Sequence, residues 1–256
     1  MINILLNGCN GKMGQEISRL LKANSNIRIA AGVDNSPDKC NNGYNTYKTL
    51  REVNEKIDVV LDFSHPDGLT GLIEYCLQNK IALVVATTGL SQSYFEALKK
   101  ASEKIPVFQT ANMSFGVNLT VELCKNAAKA LGKDFDIEII EKHHNEKKDA
   151  PSGTALMIAN EINTVLNNSL DFIYERHEKG ARKKNEIGIY SLRGGTIPGE
   201  HIIIFAGKDE IIEIKHTAMS RRIFAEGAIK AVEFIANKKP GYYNMKNLLK
   251  ETCLYE

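Results

Sequence analysis

"INILLNGCNGKMG", residues Ile2 to Gly14, decides the fold of this chain. The first part is a short, almost unbroken apolar run, as expected of a parallel strand buried on both faces. Gly8, Gly11 and Gly14 follow, and Met13, Ile17, Leu20 and Leu21 then fall on one face of a helix. Asn10 stands at the second glycine of the strict G-x-G-x-x-G pattern, so the spacing alone is a weak signal. Its position between a first strand and a first helix strengthens it. Glycines there let backbone amides approach a pyrophosphate, and the helix N-terminus stabilises the negative charge. The next strand ends in "GVDNS", with Asp34 twenty residues beyond Gly14, placed to accept hydrogen bonds from an adenine-side ribose. The competing reading is a glycine turn with an unrelated surface aspartate.

Outward from that stretch, "IRIAAGV", "IDVVLDF", "IALVVAT" and "IPVFQTA" repeat the strand signal, with helical stretches between several of them. "SQSYFEALKKASEK" opens on Ser91 as an N-cap. Strands separated by helices predict an α/β fold, a Rossmann-type doubly wound parallel sheet. "VVATTG" (with Ala86, Thr87 and Thr88) and "QTANMSFG" (with Ala111, Asn112, Met113 and Ser114) end two of these strands. Ligands of open α/β sheets bind at such carboxyl ends, although each loop alone also reads as an ordinary turn.

After Ser114 the rhythm changes. A helix ("NLTVELCKNAAKAL") leads to the strand "DIEIIEK", a charged stretch, and a second helix ("ALMIANEINTVL"). "EIGIYSLR", "EHIIIFAG" and "EIIEIKHTA" are strands with little helix between them, which predicts a smaller α+β domain with a mixed sheet. The mixed stretch from Arg176 to Glu186 reads as an exposed connection. "RRIFAEGAIKAVEFIANKK" and "MKNLLKE" are helical.

The 256 residues suffice for one large domain or two smaller ones, and 43% hydrophobic with 25% charged residues is ordinary for a soluble globular protein. A formal net charge of +2 offers no basic footprint for nucleic acid. The five cysteines are odd in number, widely spaced and without C-x-x-C motifs, which disfavours a disulfide framework or a zinc site and suggests a reducing compartment. The apolar start is too short for a signal peptide or a membrane span, so a cytoplasmic protein is expected.

The charged stretch "EKHHNEKKDAPSGTA", Glu141 to Ala155, could be a solvated loop, a metal site or a pocket for an anion. His143 and His144 are adjacent and point to opposite faces of an extended chain, which argues against a shared metal. Ser152, Gly153 and Thr154 precede a strong helix and offer unpaired backbone amides and hydroxyls, a carboxylate-binding arrangement. A proton donor, a lysine and an anion cradle so close together read as a pocket for an acidic small molecule.

These residues resemble the signature of the dihydrodipicolinate (4-hydroxy-tetrahydrodipicolinate) reductase family of lysine and diaminopimelate biosynthesis. "NGCNGKMG", "VLDFSHP", "VVATTGL", "ANMSFGVN", "GEH" and "SRRIFAEGA" extend the resemblance over nearly the whole chain. It implies a dinucleotide-binding domain over 1–114 and 221–256, and a substrate-binding and tetramerisation domain over 115–220. It further implies reduction of a cyclic dicarboxylic imine-type substrate with NADH or NADPH by a homotetramer. His143 resembles the catalytic proton donor/acceptor and Lys147 its partner, with His144, Gly153 and Thr154 as substrate-binding positions. Gly8, Cys9, Asn10, Gly11, Lys12, Met13, Asp34, Ala86, Thr87, Thr88, Ala111, Asn112, Met113 and Ser114 resemble the cofactor contacts. Asn35 stands where many members carry an arginine, which predicts preference for NADH with NADPH still usable. Ala86 replaces a commoner glycine, a small change. A semialdehyde or sugar dehydrogenase and a nucleotide-sensing regulator are the alternatives. The first lacks a cysteine in a nucleophile motif for the semialdehyde reaction, and the second lacks sequence left over for an effector module.

Overall fold

The structure, a computed structural model, describes residues 1–132, 134–177 and 180–252. Cys253 therefore lies outside the described residues. The chain divides into two compact units, one of Met1–Phe115 together with residues from Arg221 onward, the other of Gly116–Ser220.

The first unit opens with β1 (Ile2–Asn7), α1 (Lys12–Leu21), β2 (Ile27–Val33), β3 (Asn45–Tyr47) and β4 (Val59–Asp62). It continues through α2 (Leu69–Asn79), β5 (Ala82–Val85), α3 (Gln92–Ser102) and β6 (Pro106–Gln109). The second unit is built from α4 (Phe115–Leu131), β7 (Asp136–His143), α5 (Gly153–Val165), β8 (Asp171–Ile173), β9 (Glu186–Arg193), β10 (Gly199–Ala206) and β11 (Ile211–Ala218). The chain closes with α6 (Arg222–Ile235), β12 (Gly241–Tyr243) and α7 (Met245–Thr252), which belong to the first unit.

The first unit's sheet runs β12-β6-β5-β4-β1-β2-β3, and every pairing in it is parallel. Its central strands are apolar on both faces because both are covered. Ile4, Leu6, Val59, Leu61, Val84 and Phe108 pack with residues of α1, α6 and α7, whereas Leu5, Val60, Leu83, Val85 and Val107 pack with α2 and α3. That accounts for the lack of alternation in "INILLN" and "ALVV".

The second sheet has the order β11-β10-β7-β9-β8 and is mixed: β7, β8 and β9 are parallel, and β10 is antiparallel to both neighbours. Ile137, Ile139, Ile187, Ile189, Ile203 and Phe205 project from one face into a core shared with α4 and α5. The opposite face carries half-buried Ile140, Ile202 and Ile204, with Leu192 and Ile211 exposed.

Three strands escaped the sequence reading: β3, β8 and β12 have three residues each, too few to display a period, and they are placed by pairing with a longer neighbour. Helix α4 begins at Phe115, the last residue of the first unit's opening segment, and not at Asn118. Ser91 does sit at the start of α3, but its hydroxyl meets Ser93 and caps no backbone amide. The stretch from Arg176 to Glu186 is more than an exposed connection. Arg182 donates to the carboxylates of Asp136 and Glu138 at 2.7 and 2.8 Å, and Arg176 reaches Glu186 at 2.9 Å. Among the described residues no helix is long and apolar enough to cross a membrane.

Candidate functional site

In the first unit the glycine turn follows β1 at the carboxyl edge of the sheet. Gly8 adopts φ +80°, and a Cβ there would lie 2.6 Å from the carbonyl oxygen of Phe63. A Cβ at Gly14 would overlap the carbonyl oxygen of Gly8, so α1 can start this close to the strand only without side chains. Asn10 explains the imperfect glycine pattern. Its side chain is buried and turned toward the next loop, donating to the carbonyls of Ser36 and Pro37 at 2.6 and 3.2 Å. Its amide oxygen accepts from Asn42 at 2.8 Å.

Asp34 directly follows β2, and its carboxylate accepts the backbone amides of Asn10 and Ser36, each at 3.0 Å. Each oxygen retains a lone pair for a hydroxyl donor. Cys9 is fully buried, and burial, with Asp34 nearby, pushes its thiol up to about 11, so it is inert as a nucleophile at neutral pH.

Met13, Ala86, Thr87, Thr88, Ala111, Asn112 and Met113 line one pocket of about 390 Å³ together with Phe63, Ser64 and Phe224. Of the expected cofactor residues, Gly8 to Lys12, Asp34 and Ser114 do not line it, and Ser114 is buried. Asp62 was not singled out from the sequence. It is fully buried and accepts from Asn7 at 2.8 Å, from the Ser64 hydroxyl at 2.6 Å and from Thr87 at 2.6 Å. It ties the ends of β1, β4 and β5 together, and no local spacing marks that role.

In the second unit the charged stretch follows β7. His143 ends the strand and is buried, His144 is half-buried, and a turn with the Lys147 amide donating to the His144 carbonyl at 3.2 Å follows. Lys147 thus lies on a loop, where its ammonium meets Asp149 at 2.7 Å. Helix α5 starts at Gly153 with Ser152 as its N-cap, whose hydroxyl accepts from the Ala155 amide at 3.2 Å. A side chain at Gly153 would meet open space, so this helix start is accessible.

The sequence reading missed what lies behind His143. Its Nδ1 is 2.5 Å from an oxygen of Glu141, a carboxylate with no solvent exposure. Arg193, from the end of β9, grips both Glu141 oxygens at 2.7 and 2.8 Å, and the Ser152 amide adds a third donor at 3.1 Å. Burial acts to raise the Glu141 pKa, but the hydrogen bonds from Arg193, Ser191 and His143 outweigh it and hold the carboxyl down to about 2. Burial lowers the His143 pKa, and Lys147 and Arg193 add to that, against the opposing pull of Glu141.

His201 packs edge-on against the His143 ring at 5.3 Å and shares a hydrogen bond with the Ser152 hydroxyl at 2.9 Å. A signal for Glu141 and His201 was available. Ile137, Ile139, Glu141 and His143 alternate along one strand, and His201, Ile203 and Phe205 along another, so these polar groups continue apolar, buried faces. Arg193 follows Ile187 and Ile189 on the same face of β9, but exposed Ser191 between them interrupts the pattern.

The comparisons with known proteins agree over the length of the chain. Residues 2–113 match the family model described as dihydrodipicolinate reductase, N-terminus, and residues 116–249 the one described as dihydrodipicolinate reductase, C-terminus. A 4-hydroxy-tetrahydrodipicolinate reductase of Caldanaerobacter subterraneus is 49% identical over 98% of this chain and 99% of its own. One from Clostridium tetani is 49% identical over 97% of each. The solved structure of a dipicolinate-bound dihydrodipicolinate reductase from Paenisporosarcina sp. TG-14 is similar with a TM-score of 0.80 at 26% identity, over 96% of this chain and 99% of that one. Matched over residues 2–113 and 116–249 by the two family models, and over nearly its whole length by relatives of nearly half identical sequence, this chain belongs to the dihydrodipicolinate reductase family.

Proposed function

We propose that this protein reduces 4-hydroxy-tetrahydrodipicolinate to tetrahydrodipicolinate and water with a reduced pyridine nucleotide. The observation that carries this reading is the grouping of His143, Lys147 and the open start of α5 in one unit of a chain that covers 99% of a relative's length. The glycine turn, whose Gly8 and Gly14 leave no room for side chains, fits a dinucleotide's phosphates, and the pocket from Met13 to Phe224 fits its nicotinamide half. Bound there, the reduced nucleotide supplies a hydride.

The chain's own residues do the rest. The amides of Gly153 and Thr154 and the Thr154 hydroxyl receive a substrate carboxylate. Lys147 exchanges Asp149 for a substrate anion and meets the charge that develops as hydride arrives. His143 and Lys147 together handle the proton. His144, half-buried on the turn, adds a further contact to the substrate in this reading.

Asp34 accepts ribose hydroxyls and repels a 2′-phosphate, and Asn35 brings no compensating charge, which favours NADH over NADPH. The face of the second sheet that turns away from its helices sets Ile140, Ile202, Ile204, Leu192 and Ile211 among the ion pairs of Glu200 with Lys142 and Lys215, and it is the surface suited to assembly into a homotetramer. Scattered cysteines, free at all four described positions, suit a reducing cytoplasm. The test is consumption of NADH or NADPH by the purified protein with freshly generated substrate. Turnover that requires both partners supports the reading, and none with either nucleotide overturns it.

A further inference from the structure

We infer that Glu141, clamped by Arg193, is the positioning residue that fixes the His143 ring with Nε2 as its reactive nitrogen. This rests on the reading of His143 as the acid–base group. A neutral imidazole carries one N–H, and the carboxylate 2.5 Å from Nδ1 holds the proton on that nitrogen. Nε2 is then left as the nitrogen that takes up and releases a proton.

A side chain opposite the ring would crowd Nε2. A Cβ at Gly199, opposite on β10, would lie 3.0 Å from Nε2, and glycine removes it.

Arg193 serves more than the carboxylate. Its Nη2 also donates to the backbone carbonyl of Asp149 at 2.7 Å, and the Asp149 side chain holds Lys147. One guanidinium therefore fixes both the strand carrying His143 and the loop carrying Lys147. Its five donors in a planar fork suit that task, which an ammonium could not repeat.

The charged and titratable groups facing the ring are Glu141 on its own strand, Arg193 from β9, His201 from β10 and Lys147 from the following loop. Removing one of them has a defined sign. Glu141→Gln keeps the size but deletes the anion, leaving the ring beside two cations, so protonation of His143 becomes harder. Arg193→Gln deletes one of the two cations and leaves Glu141 opposed by Lys147 only, so protonation becomes easier.

The experiment is an NMR titration of the His143 imidazole, assigned by loss of its signal in His143→Gln, alongside the pH profile of kcat in the active protein. The titration midpoint is expected to fall in Glu141→Gln and to rise in Arg193→Gln, and the corresponding limb of kcat to follow. Ring nitrogen shifts should also report the Nδ1–H tautomer in the parent and a mixture in Glu141→Gln. Turnover should drop by about 10²-fold in Glu141→Gln, within the range a positioned acid–base group contributes. Shifts in the same direction in both variants, or none, would overturn the inference. Should Glu141→Gln fail to fold, the rise in Arg193→Gln decides alone. The titration needs no turnover, so its outcome stands apart from whether the protein is the proposed reductase. An active parent with unmoved midpoints would sink this inference and leave that function intact.

Discussion

Between Ile2 and Gly14 the first unit makes its glycine turn from backbone, whereas the second unit makes its candidate site from side chains of three strands and a helix start. The glycine turn is local: its amides, its left-handed Gly8 and its close approach at Gly14 lie within one strand–helix connection. The His143 region is assembled at a distance. Arg193 meets Glu141 across 52 residues and Ser152 meets His201 across 49. The burial differs as well. Both faces of the parallel sheet are covered and its carboxyl edge is dressed in small residues, while the mixed sheet turns buried charge toward its helices. A backbone site should tolerate changes in side-chain charge and fail on added volume. A side-chain site should do the reverse.

The largest expected effect is on the side-chain site. His143→Gln and Lys147→Ala should each lower kcat by roughly 10²–10⁴-fold while nucleotide affinity barely moves. Near-normal turnover in both, measured with saturating nucleotide, would break the contrast at its centre.

Acid should strain the second unit next. Burial, and then His143 beside it, lower the His201 pKa from 6.5 to about 4. A histidine harder to protonate when folded stabilises the fold above about pH 6.5, and that contribution is lost as pH falls toward 4. Glu141, with its pKa held down to about 2 when folded, adds a loss in the same direction below about pH 4.5. The His201 contribution is on the order of 3 kcal/mol at pH 4. Urea unfolding from pH 7 to 4 should show a shallower decline in His201→Asn than in the parent. Equal slopes would mean that the buried imidazole is not what makes this unit acid-sensitive.

Volume tests the first unit. Gly14→Ala places a methyl against the Gly8 carbonyl, backbone that cannot yield cheaply, and should cost about 1–3 kcal/mol in overpacking. Nucleotide Kd should rise with it, while the His143 titration stays where it was. A loop that accommodates the methyl with unchanged Kd would show that close approach is not needed here.

The smallest effect is on nucleotide choice. The preference for NADH in kcat/KM should be about tenfold, roughly 1.4 kcal/mol, and Asn35→Arg should narrow or reverse it. Lys12 and Lys39 are both exposed. A clear preference for NADPH in the parent would show that these flexible cations reach the phosphate after all.

What the sequence determined by itself was whatever repeats locally. The parallel sheet was legible because strands buried on both sides read as continuous apolar runs, and the glycine turn because its geometry needs glycine at fixed offsets. The charged stretch could be singled out as a candidate site because His143, Lys147 and the start of α5 fall within one short segment. Tertiary structure alone decided the rest. The three-residue strands β3, β8 and β12 exist only by pairing with a neighbour. Asp62 gathers three strand ends, and Arg193 binds Glu141 and the Asp149 carbonyl at once. A buried carboxylate must find its cation wherever the fold brings one, and the spacing along the chain carries no record of which one that is.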